Sequence, residues 1–173
     1  MPKIIENVRE QLLCEARRQI AENGYKNTTI RSVAGACNLG IGTVYNYFKS
    51  KDMLIATFIL EDWQECISQM QQESLANPGC CLKTVYDSLS NFMSGHKELF
   101  GDSDATKVFA TTFAQRHKLL RDQLADIIRP ICHNAAVNNK DFLAEFIAES
   151  LLTWTVAGKT FEDISSVLNL III

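Results

Sequence analysis

The chain has 173 residues, 47% of them apolar, with six cysteines and a formal net charge of −3 at pH 7. That length suits one compact unit or a small head on a larger body, and the mild acidic balance argues against a protein that coats nucleic acid regardless of sequence. No stretch approaches the ~20 apolar residues of a membrane span, and an acid as early as Glu6 argues against a secretory leader; a cytoplasmic protein with no membrane partner is expected.

The first element in chain order is a helix from near residue 3 to near 22. Ile4, Val8, Leu12, Ala16 and Ile20 repeat every four residues, and Asn23-Gly24 ends the run. Thr28 and Thr29 then supply hydroxyls where a second helix should begin; one of them can cap its free amides or anchor a phosphate. Ile30, Val33, Ala34 and Cys37 recur at helical spacing and should face inward, while Gly35 costs about 1 kcal/mol relative to alanine. Asn38 suits the left-handed conformation that closes a helix. Gly40 and Gly42 keep the start of the next helix slim. Val44 and Phe48 should enter the core, leaving Thr43, Tyr45, Asn46 and Tyr47 to the outside or the rim.

Two short helices about a tight turn form a helix-turn-helix. A slim helix start can enter the major groove, and basic residues beside it can neutralise phosphates. Double-stranded DNA is therefore the expected partner, with Thr28, Thr29, Arg31, Gly40, Ile41, Gly42, Thr43, Tyr45, Asn46, Tyr47, Lys49 and Lys51 as candidate contacts. Taken singly, a Tyr-x-Tyr-Phe cluster reads as core and a Thr-Thr pair as a cap; their order together favours DNA. Charge agrees: residues 1–52 hold eight Lys or Arg against five acids, and the remainder holds nine against fifteen. A basic segment on an acidic chain is what a DNA-binding head on a non-binding body requires.

This segment resembles the DNA-binding domain of the tetracycline-repressor (TetR) family of bacterial regulators. The residues that carry the resemblance are Gly24-Tyr25, Thr28-Thr29, Arg31, Val33-Ala34, Gly42-Thr43, Tyr45, Tyr47-Phe48, Ser50-Lys51 and Leu54. The chain departs from the family in having Asn38 where Gly is usual, Gly40 where Ser is common and Ile41 where a polar residue is common. Gly40 thus lacks a capping side chain, and Ile41 puts an apolar group near the groove. The resemblance implies an all-α fold of about nine helices. It places an N-terminal three-helix helix-turn-helix domain at residues 1–50 and a helical effector-binding and dimerisation domain at 51–173. It also implies a homodimer, a palindromic operator and a ligand pocket.

Beyond the head, Ser50 can cap a long helix whose apolar residues run from Leu54 to Met70 and which stops before Asn77-Pro78-Gly79. A helix is expected over about 80–99. Another is expected over 104–129 with a break near His117, and Pro130 should disturb the segment after it. The last two, about 141–157 and 160–170, are split at Gly158. Phe142, Phe146, Ile147, Leu151, Trp154, Phe161 and Leu168 give these last helices apolar residues on more than one face. Such a helix is buried on two sides, and the second side is either a subunit interface or packing within one chain. Phe58, Trp63, Met70, Phe92, Met93, Phe109, Phe113 and Trp154 are candidate pocket-lining residues, each of which also reads as plain core. With few charges among them, a small hydrophobic effector held by one or two polar groups is expected.

The six cysteines form no Cys-x-x-Cys and no regular framework, so they read as thiols rather than disulfides. The neighbours Cys80-Cys81 and Cys132-His133 point in different directions on a helix and chelate poorly; no metal and no cofactor are expected. No paired acid and base, Ser-His-Asp order, Gly-rich phosphate loop or metal triad is present, so no enzyme is expected. The favoured function is a sequence-specific transcriptional repressor released by a small hydrophobic ligand. The alternative is a DNA-binding protein of the same fold controlled by a protein partner, or a nucleoid factor without an effector.

Overall fold

The computed structural model describes residues 7–135 and 137–171, and within these the side chains of all but 109–115 and 134. Among the described residues the regular structure is helical throughout. The helices are α1 (Val8–Asn27), α2 (Ile30–Ala36), α3 (Ile41–Tyr47), α4 (Lys51–Ala76), α5 (Cys81–Gly95), α6 (Lys97–Phe100), α7 (Ser103–Ile128), α8 (Lys140–Val156) and α9 (Phe161–Leu168). Short 3-10 turns at Pro78–Cys80 and Arg129–Asn134 each begin at or next to a proline, which cannot donate into a continuing helix. The chain falls into two compact units. One comprises Met1–Asp62 and His96–Ala110, the other Trp63–Gly95 and Thr111–Ile173.

In the first unit, α1 buries Val8, Leu12, Leu13, Ala16 and Ile20 along one face. Ile4, expected to begin that stripe, lies outside the described residues. At Gly24 the backbone turns to φ 75°, which breaks the helix and folds Tyr25 inward. The space around Gly24 is open, so the positive φ is what demands glycine there. α4 contributes Leu54, Ile55, Phe58 and Ile59 to the same core. Its Asp62 accepts from the Arg17 guanidinium of α1 at 2.9 Å, and its Glu61 pairs with Arg9 at 2.6 Å.

The helix expected over 80–99 is interrupted at His96, which separates α5 from α6. Its ring stacks on Phe58 with centroids 6.2 Å apart, meets Phe100 edge-on at 6.0 Å, and brings Nε2 to 3.4 Å from Asp62. Burial lowers the His96 pKa from its ordinary value near 6.5; the opposing pull of Asp62 is smaller, and Arg17 adds to the lowering. The folded chain therefore resists a proton that the unfolded chain accepts. This contribution to stability is complete above about pH 6.5 and is lost as pH falls toward the folded value. The urea midpoint of the wild type should drop between about pH 7.5 and about pH 6, and the drop should flatten in His96→Gln. An equal slope in both proteins would assign the effect to other groups.

The second unit is built around α8, which packs on α5, on α9 and on the 3-10 turn after α7. The Asn139 side chain accepts the Phe142 amide at 3.0 Å to start α8, and Gly158 at φ 76° ends the run. α8 turns Leu143, Ala144, Ile147, Ala148, Leu151 and Leu152 inward. There they join Trp63, Met70, Val85, Leu89, Leu124 and Ile128 in one hydrophobic cluster. α7 runs unbroken through His117, contrary to the expected break. His117 instead holds Glu149 of α8 through Nε2 at 2.9 Å. Thr160 and Asp163 form a reciprocal cap that starts α9.

Candidate nucleic-acid interface

The helix-turn-helix is assembled by polar contacts that begin on α1. Thr29 accepts the Ser32 amide at 3.0 Å and returns its own amide to Ser32 Oγ, a reciprocal cap at the start of α2. The Ser32 hydroxyl then donates to Gln19 Oε1 of α1 at 2.6 Å. Gln19 is itself buried and donates to Glu15. Ile30, Val33 and Ala34 bury the inner face of α2. Asn38 takes φ 54°, the left-handed conformation read from its type, and the Leu39 amide closes the turn on the Ala34 carbonyl at 2.8 Å.

α3 then begins at Gly40, whose extended backbone carries no side-chain cap. A Cβ there would meet only Thr43 Oγ1, at 3.8 Å, so sterics leave room for a larger residue. α3 splits cleanly into two faces. Val44 is fully buried and Phe48, which follows, nearly so. Ile41, Tyr45 and Tyr47 stand 38%, 46% and 47% exposed, beside exposed Gly42 and Asn46, with Thr43 at the rim. A surface helix that spends two aromatic rings on solvent has a face made for a partner. Arg31 and Lys49 are exposed nearby, Lys49 donating to the Tyr45 carbonyl at 3.2 Å.

Two expected DNA contacts are engaged inside the head. Thr28 is 1% exposed and its hydroxyl donates to the Gly24 carbonyl at 2.9 Å, so it braces the kink rather than facing a phosphate. The Lys51 ammonium donates to the Tyr25 carbonyl at 2.9 Å and lies 3.6 Å from the centre of the Tyr25 ring. Burial lowers the Lys51 pKa. Tyr25 donates its hydroxyl to Asp52 at 2.6 Å, and its own pKa is raised, chiefly by burial and next by that bond. Tyr25, Gln19 and Ser32 thus position the motif. Gly24-Tyr25 signalled one of them in the sequence; the Gln19–Ser32 contact joins residues thirteen apart and left no local trace.

The candidate pocket residues are not brought together as one lining. Phe58 belongs to the core of the first unit, against His96. Trp63, Met70 and Phe92 sit in the hydrophobic cluster of the second unit, Trp63 edge-on to Phe92 at 5.3 Å and donating to Gln123 at 2.9 Å. Met93 is half-buried, Trp154 is 48% exposed, and the side chains of Phe109 and Phe113 lie outside the described residues. The second unit also holds two buried hydroxyls without a hydrogen-bond partner among the described residues, those of Ser74 and Thr155, neither of which was singled out in the sequence.

Of the expected interface residues, Ile147, Leu151 and Leu168 are fully buried within the second unit and can touch nothing outside it. Phe161 is half-buried against Tyr86 at 5.5 Å. The outward apolar surface of α8 is carried instead by Phe142, Phe146 and Trp154, with Val156 beyond them. No helix among the described residues is long and apolar enough to cross a membrane.

Comparison with known proteins agrees with this geometry. Residues 12–57 match the bacterial regulatory proteins of the tetR family, a span that contains α2, α3 and their turn. The chain is 24% identical to the HTH-type transcriptional repressor Rv1474c of Mycobacterium tuberculosis, over 99% of this chain and 96% of that protein. It is 26% identical to the fatty acid metabolism regulator protein of Bacillus subtilis, over 69% of this chain and 59% of that one. The fold superposes on the ketosteroid transcriptional regulator KstR2 of Mycobacterium tuberculosis with a TM-score of 0.57 at 18% identity, covering 98% and 97% of the two chains. A helix-turn-helix built from α1, the exposed aromatic face of α3 and these likenesses converge: residues 12–57 carry the DNA-binding segment of the tetR family of bacterial regulatory proteins, and the chain is similar along nearly its whole length to a transcriptional repressor.

Proposed function

We propose that the protein is a homodimeric cytoplasmic repressor whose residues 1–50 read a palindromic operator, and whose residues 51–173 pair the subunits and bind a small, largely hydrophobic effector. The observation that carries this reading is the division of α3, with Val44 locked into the core and Tyr45, Asn46 and Tyr47 presented outward. Tyrosine hydroxyls can donate to phosphates, and Asn46 and the Thr43 methyl can meet base edges. Repression is supported by the name of the relative matched along nearly the whole chain. Pairing is supported by the outward Phe142, Phe146 and Trp154 of α8, which two copies of one helix face can bury against each other.

A hydrophobic effector is supported by the apolar cluster about α8 and by the likeness to a fatty acid metabolism regulator. The unpartnered Thr155 hydroxyl is a natural anchor for the polar end of such a molecule. The effector would act by favouring a conformation that holds DNA poorly, shifting a population the free protein already samples. Thr155→Val is expected to stabilise the free protein by about 1 kcal/mol, since it removes a buried hydroxyl without a partner. It should also weaken binding of a long-chain fatty acid, read as a smaller ligand-induced thermal shift. A destabilised variant would show that the hydroxyl is satisfied.

Selection of binding sites from random duplex DNA with the purified protein tests the main reading. An inverted repeat with half-sites about one helical turn apart supports it. Recovery of no enriched sequence sinks it.

A further inference from the structure

Cys14 and Cys37 are separated in sequence and share no spacing motif, yet the head sets Cys37 against the stretch of α1 that carries Cys14. α2 packs on α1, and Cys37, the residue that ends α2, donates its thiol to the Gln11 carbonyl of α1 at 3.6 Å. Cys14 lies three residues beyond Gln11 on α1, and residues three apart are neighbours on one helix face. The two thiols feel each other: burial first, then Glu15 and Cys14, push the Cys37 thiol up. Cys14 is exposed and Cys37 half-buried, the arrangement of an accessible attacking thiol with a resolving thiol behind it. By contrast Cys66, Cys81 and Cys132 each hydrogen-bond a backbone carbonyl in the second unit. Cys81 and Cys132 are sealed in its core, and burial pushes Cys66 up to about 11.

We propose that Cys14 and Cys37 form a reversible thiol–disulfide pair that ties the end of α2 to α1 under oxidation. In a reducing compartment such bonds are transient and serve sensing rather than structure. The oxidant is a low-molecular-weight disulfide. The Cys14 thiolate attacks one of its sulfurs and displaces a small thiolate, leaving a mixed disulfide on Cys14. Cys37 gives its proton to solvent, and its thiolate attacks the Cys14 sulfur and displaces the second small thiolate. Two cysteine thiols lose two electrons and two protons, and the small disulfide becomes two thiols.

Asn38, Leu39 and Gly40 follow Cys37 directly and set the start of α3, so the bond acts on the turn that aims the reading helix. Oxidation should therefore lower DNA affinity, by about tenfold. That effect rests on the proposed DNA reading; the bond itself does not.

Full-length wild type, Cys14→Ser and Cys37→Ser would be equilibrated with reduced and oxidised glutathione, alkylated and mapped by mass spectrometry, with DNA binding measured in parallel. The wild type is expected to yield a peptide linking residues 14 and 37, apart from any glutathione adduct on exposed Cys80, and to recover fully in dithiothreitol. Cys37→Ser should stop at a glutathione adduct on Cys14, and Cys14→Ser should stay reduced at Cys37. A stable adduct on Cys14 in the wild type, or a link between two copies of Cys14, overturns the pair. Because mapping needs no DNA, failure to find an operator does not touch the outcome for the pair. A fully cross-linked protein with unchanged affinity for a known operator overturns the coupling to α3.

Discussion

Replacing Phe142 and Phe146 together by glutamate is expected to leave a folded monomer that binds the operator at least about a hundredfold more weakly. The two rings stand 61% and 45% exposed one helical turn apart on α8, while the opposite face of the same helix carries the core. The substitutions therefore change what the second unit presents, not what holds it together. Four carboxylates facing one another across a two-fold axis would oppose pairing, since like charges brought together out of water are costly. A dimer reads two half-sites because the second head binds at the high local concentration set by the first; a monomer forfeits that gain. Sedimentation equilibrium and an operator titration measure the two halves of the claim. A variant that stays dimeric would place the interface elsewhere, and a monomer with full affinity would remove the need for pairing.

Tyr45→Ala is expected to weaken operator binding about tenfold, the cost of one phosphate-directed hydroxyl and its ring, without a measurable change in the denaturation midpoint, because the side chain is 46% exposed. Lys51→Ala should behave differently. Its ammonium bridges from the start of α4 to the carbonyl and ring of Tyr25, so removing it strips a charged hydrogen bond and a cation–π contact from the kink after Gly24. The expected loss is about 1–2 kcal/mol of stability, with weaker DNA binding as its consequence. Urea curves on the two variants separate contact from support. Equal destabilisation would make Tyr45 part of the core, and an unshifted Lys51 variant would return that lysine to the surface.

The head was legible because its logic is local. A hydroxyl three residues before Ser32, an asparagine in the turn, and two apolar residues four apart each announce their conformation through near neighbours. Thr29, Asn38, Val44 and Phe48 accordingly stand as their types demanded. What escaped was set by distant partners. Lys51 has the sequence context of a phosphate contact, but a residue twenty-six positions earlier claims its ammonium. His96 interrupts a helix that apolar spacing carries straight through, because its ring fits between Phe58 and Phe100. α7 continues past His117, where nothing but a histidine suggested a break. On α8 the composition revealed two apolar faces, but only packing decides that Ile147 and Leu151 turn inward while Phe142 and Phe146 turn out. The contact of Cys37 with Gln11 depends on how α2 meets α1, which no spacing rule encodes.

The ion pairs of the head also bear on how a protein with the proposed function is expected to search a genome. Arg17 is held by Asp62 and Glu61, Arg9 by Glu61, Arg18 by Glu15 and Glu22, and Lys26 by Asp104. Those cations already have counter-charges within the chain, so they are expected to neutralise few phosphates and displace few of the counterions condensed on DNA. On the proposed DNA reading, the attraction exerted by any duplex is thereby left, among the described residues of the head, largely to Arg31 and Lys49, and bulk DNA is expected to be a weak trap. On that reading, discrimination is expected to lie with the uncharged side chains of α3. A regulator built this way gives up some raw affinity for a higher ratio of specific to non-specific occupancy, so that few copies per cell suffice to find and hold a single site.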